Sequence, residues 1–84
     1  MKSFKMLPSK SINGGIQYIA KFDNGYGASI IRHSFSYGNE YDLWELAVLG
    51  SDGKLTYKTP ITEDVLGHLT EQDVEDALLK IKAL

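Results

Sequence analysis

Proton transfer near neutral pH would fall to His33 and His68, because an unperturbed imidazole titrates near about pH 6.5. His33 follows Arg32, and His68 stands just before the last helical pattern. Neither has a second ligand at metal spacing, nothing resembles H-E-x-x-H, and the chain has no cysteine. A fold that brought His33 beside an Asp or Glu would make a base and its orienting partner. Ser29, Ser34, Ser36 and Ser51 lack a nucleophile-elbow context. Gly25-Tyr26-Gly27 begins a G-x-G but leads into a strand pattern, where a phosphate-binding fingerprint requires a helix. Glu63, Asp64, Glu71, Asp73, Glu75 and Asp76 are numerous, yet helix capping and solvation account for them all. The expectation is a protein with no catalytic residues, no cofactor and no metal.

Recognition is the more promising chemistry. Ser34 to Asp42 (SFSYGNEYD) mixes Phe35, Tyr37 and Tyr41 with Ser, Gly and Asn. Rigid rings among small adaptable polar residues are what binding loops use, although the same rings could fold back onto a thin core. Arg32 adds a residue type enriched at interface hot spots. Ile19 and Ile31 fall on the strand face turned away from the apolar row. The candidate partner-binding residues are therefore Phe35, Tyr37, Tyr41, Arg32, Ile19 and Ile31.

Composition narrows the partner. Nine basic against eleven acidic residues leave a net charge of −2. That balance does not suit a protein living on phosphate backbones or anionic membranes. Inner-face placement of Tyr18, Phe22, Trp44 and Tyr57 would also remove the sheet aromatics from base stacking. A protein partner, or a second copy, is expected over nucleic acid, membrane or a small-molecule substrate. MKSFKMLPSK holds no apolar run of signal-peptide length, and no segment approaches the roughly 20 apolar residues of a membrane span. The expected location is the cytoplasm.

Eighty-four residues make one domain. Residues 1–15 read as a flexible segment, with Phe4 and Met6 alternating with lysines as a weak strand signal, and 16–84 as a single α+β domain. Ile16 to Phe22 (IQYIAKF) is a strand with Ile16, Tyr18, Ala20 and Phe22 on one face. Asp23-Asn24-Gly25 turns the chain. A two-residue turn would pair Phe22 with Gly27. A three-residue turn ending in left-handed Gly25 would pair Phe22 with Tyr26 and bring Ala28 and Ile30 into the inner row, which is the cleaner pattern.

Leu43 to Thr59 (LWELAVLGSDGKLTYKT) reads as a hairpin about Asp52-Gly53. That register pairs Val48 with Tyr57 and places Trp44, Leu46, Val48, Leu55 and Tyr57 inside. Pro60 ends the strand. Thr62 then caps one short helical turn stopped by Gly67. Thr70 caps the last helix, with Asp73 at the reciprocal position and Leu69 stapled onto Val74. Val74, Ala77, Leu78 and Ile81 form its buried stripe, and Asp76 with Lys80 a supporting pair. The expected architecture is a four-stranded antiparallel β-meander with the C-terminal helix packed on one face.

FDNGYGAS with Arg32-His33 beyond it, the strand WELAVL, and the tail TPIT-x-DV-x-G-x-LT-x-x-DV resemble a group of small proteins encoded by tailed bacteriophages. The resemblance covers about residues 22–75. It implies a setting, the cytoplasm of a phage-infected bacterium, and supplies no catalytic residues. Joined to the surface above, it leads to the expectation of a non-enzymatic accessory protein that binds another protein. The alternatives are a homodimeric assembly component, pairing outer sheet faces or edge strands, and a weak nucleic-acid binder.

Overall fold

Apolar alternation in the middle of the chain makes its central strands, and the computed structural model joins five strands in one antiparallel meander of order β1-β2-β3-β4-β5. It describes residues 3–34, 36, 38–61 and 65–84. The strands are β1 (Ser9–Ile12), β2 (Gly15–Lys21), β3 (Gly27–Arg32), β4 (Trp44–Leu49) and β5 (Leu66–Leu69). Helix α1 (Glu71–Lys82) follows and lies against β3, β4 and β5. The α+β meander with a C-terminal helix on one face is as the sequence predicts, but three of the four expected strands form: β1 and β5 are added, and the strand expected after Asp52-Gly53 is absent among the described residues.

The β2–β3 turn takes the three-residue form. Phe22 N–H donates to Tyr26 O at 2.8 Å, and Ala20 stands opposite Ala28 and Tyr18 opposite Ile30. Gly25 has φ +89°, a left-handed conformation that costs glycine nothing. The inner row follows: Tyr18, Ala20, Ala28, Ile30, Trp44, Leu46 and Val48 are buried against Val74, Ala77, Leu78 and Ile81 of α1. Trp44 is 1% exposed. Its Nε1 has no hydrogen-bond partner among the described residues, so apolar and ring contacts hold the indole.

The N-terminal segment joins the fold through Phe4, which is buried in the core, and through β1, a mostly exposed edge strand. Residues Phe4–Met6 form a 3-10 turn, and the Phe4 ring meets Tyr18 and Trp44 edge-on at 5.5 and 5.1 Å. Asn13 and Gly14, both at positive φ, turn β1 back onto β2 with Ile12 opposite Gly15. Two adjacent left-handed residues match the twist of a two-residue hairpin, and Asn-Gly is the sequence best able to adopt them.

The expected Asp52-Gly53 hairpin is corrected: the residues after the turn form one isolated bridge and no strand, in a register one residue away from the expected one. Leu49 stands opposite Leu55, Gly50 N–H donates to Lys54 O at 2.8 Å, and Thr56 N–H donates to Val48 O. Asp52 Oδ1 accepts from Lys54 N–H, closing a three-residue loop. A slip of one residue sends every side chain to the other face. Leu55 therefore sides with Leu49 on the outer surface, and Leu55 and Tyr57 are each 48% exposed. Tyr57 is no core residue.

Beside β4 the chain instead places β5, with Trp44 opposite Leu69 and Leu46 opposite Leu66. Leu66 and Leu69 pack on the core that α1 covers. Gly67, expected to stop a helical turn, lies within β5, and the proposed cap Thr62 with Glu63 and Asp64 falls outside the described residues.

The start of α1 follows its sequence signature. Asp73 N–H donates to Thr70 Oγ1 and Thr70 N–H donates to Asp73 Oδ2, the reciprocal capping box. Asp76 takes Gln72 Nε2 as its donor rather than Lys80, and Lys5 Nζ pairs with Glu71 at 2.6 Å.

Candidate functional site

Antiparallel pairing separates the candidate residues. Ile19 and Ile31, both half-buried, lie on the outer face beside Ser29 and Ala47. Gln17 Nε2 donates to Ser29 Oγ at 2.7 Å between them. With Leu49, Leu55 and Val65 they line a shallow hollow of about 550 Å³, rimmed by Lys10, Lys54 and Glu45. Arg32 is not part of this surface. It stands opposite Ile16 in the inner register, and its guanidinium carbon sits 4.3 Å from the Trp44 ring centroid. Reading strand alternation through to the end of β3 would have placed it there.

From that position Arg32 supports the other half of the candidate surface. Its Nη1 donates to the carbonyl oxygen of Asp42 at 3.1 Å. The segment it holds is a tight strap: residues Asn39–Tyr41 form a 3-10 turn, and Tyr41 and Leu43 N–H both donate to Gly38 O. Gly38 has φ +94°, and a side chain there would meet the His68 backbone at 2.9 Å. Asp42 and His68 are also left-handed, at φ 58° and 56°. For residues other than glycine this conformation stores strain that the surroundings must hold. At His68 the cause is a bulge: Gly67 and His68 together span the gap opposite Glu45.

The strap presents Tyr41, 67% exposed, with its ring centroid 6.5 Å from that of His68. Phe35 and Tyr37 lie outside the described residues. The structure thus joins Tyr41 to Arg32 through Asp42, and leaves Ile19 and Ile31 on the opposite face. His68 is the neighbour that sequence reasoning missed, because left-handed backbone at a bulged His has no signature in the residues around it. His33 is buried at the end of β3, where its N–H and O bond to Ser36. Among the described residues no three His, Asp or Glu gather where a metal could be held. No helix among them is long and apolar enough to cross a membrane.

The chain matches no family model, no curated protein and no solved structure.

Proposed function

We propose that the protein is a non-enzymatic accessory protein that works by binding another protein, with Tyr41 as the anchor of the contact. The observation that carries this is the exposed Tyr41 ring on a strap fixed by Arg32, Gly38 and the β5 bulge. A tyrosine on a fixed backbone loses little backbone freedom on binding, and Tyr is among the residue types enriched at interface hot spots. The balanced charge favours a protein partner over nucleic acid. The phage-like motifs between residues 22 and 75 suggest the setting, the cytoplasm of an infected bacterium.

The test is capture from bacterial lysate with wild type and Tyr41→Ala side by side. Tyr41 is largely exposed, so the substitution leaves folding intact. Recovery of a specific partner should fall at least about tenfold, as for a hot-spot truncation. Equal recovery by both proteins would remove Tyr41 from the contact.

A further inference from the structure

We infer that the groove between the N-terminal turn and α1 is a homodimer face, occupied by a second copy of this chain laid antiparallel along α1 about a two-fold axis. This goes beyond the Tyr41 contact and uses a different surface. The groove is a hollow of about 280 Å³ floored by Phe4, Ala20, Phe22 and Leu78. Two large apolar side chains stand at its lip, Met6 at 74% and Leu79 at 50% exposure. Hollow and protrusion thus belong to one patch. A two-fold contact uses the same patch on both copies, so it requires that kind of self-complementarity.

Charge selects the orientation. Glu71, Glu75, Leu79 and Lys82 follow one another at spacings of four, four and three, which places them on one stripe of the helix. The acids occupy its first half and the lysine its last turn. Parallel packing would set acid against acid. Antiparallel packing about a point midway between Leu78 and Leu79 sets Glu75 against Lys82 of the second copy, twice over, with Leu79 at the centre. Within one copy, Glu75 Oε2 already accepts from Phe4 N–H at 3.0 Å, and Lys5 pairs with Glu71. The acidic side of the face is therefore held in place before the copies meet.

A standard interface takes about 800 Å² from each partner, roughly a seventh of the 5362 Å² this chain exposes; one helix stripe and the groove beside it offer less, so a concentration-dependent contact is expected. Sedimentation should show a mass of 9.4 kDa rising toward twice that value. The rise should fall between about 10 µM and about 1 mM chain. Leu79→Lys should abolish the rise, and Lys82→Glu should weaken association at least tenfold. Tyr41→Ala should leave it unchanged, which separates this face from the partner contact. Because the chain has no cysteine, Leu79→Cys offers a second readout that tolerates weak association: oxidation should link two chains through position 79. A mass fixed at 9.4 kDa throughout with no cross-link, or a dimer indifferent to Leu79→Lys, would overturn the inference.

Discussion

Asn24 Nδ2 donates to the carbonyl oxygen of Ile81 at 2.8 Å, joining the β2–β3 turn to the end of α1 across 57 positions of sequence. The same amide reaches Lys82 O and Leu84 O, while Asn24 Oδ1 accepts from Tyr26 N–H. The last carbonyls of a helix have no partner within it. Here a hairpin turn supplies the donor, so one side chain both shapes the turn and closes the helix.

Asn24→Asp keeps the oxygen that shapes the turn, removes the donor, and brings negative charge to the negative end of the helix dipole. A loss of about 1–3 kcal/mol is expected in urea unfolding at pH 7, with Asn24→Ala comparable. An unchanged midpoint for both variants would show that the bond contributes nothing to stability.

Phe4 is expected to matter as much as a sheet residue. Its ring is 2% exposed and touches both Tyr18 and Trp44. Phe4→Ala should cost about 3–5 kcal/mol, a large share of the stability of any small domain. Thermal melting would show this as a fall of many degrees. A melt that matches wild type would mean that Phe4 is not part of the core.

The helix start carries a pH signature. Hydrogen bonding from the Thr70 backbone N–H, and then from its side chain, holds the Asp73 carboxyl below its ordinary range. A depressed carboxyl stabilises the fold above its unfolded pKa of about 3.9, and that contribution is lost as pH falls through the lower folded value. The gap in melting temperature between wild type and Asp73→Asn should therefore be widest above pH 5 and close in acid. A gap that stays constant down to pH 2 would contradict this. Thr70→Ala should cost about 1 kcal/mol at pH 7.

What was legible in the sequence was local. The Gly25 turn, the inner row from Tyr18 to Val48, the four buried positions of α1 and the Thr70–Asp73 box each follow from neighbours a few residues apart. The misses were set by longer-range competition. Asp52-Gly53 does turn the chain, but whether the loop holds two residues or three decides which face Leu55 and Tyr57 occupy, and β5 takes the place beside β4. Asn13-Gly14 was a hairpin signal between two strand-like runs, hidden by the polarity of Ser9–Ile12. Phe4 joins the core only because β1 returns the N-terminal segment to the sheet. Of the candidate surface, Tyr41 is exposed, whereas Arg32 obeys strand alternation and lies over Trp44.

The most direct measurement of the proposed function is site-specific photo-crosslinking in bacterial cells producing the protein. One variant carries a photoreactive phenylalanine analogue in place of Tyr41, and a control carries it in place of Tyr57, another exposed tyrosine. A discrete adduct with one partner protein from position 41, absent from position 57, is the expected result. Adducts from position 57 alone, or none from position 41, would contradict a contact built on Tyr41.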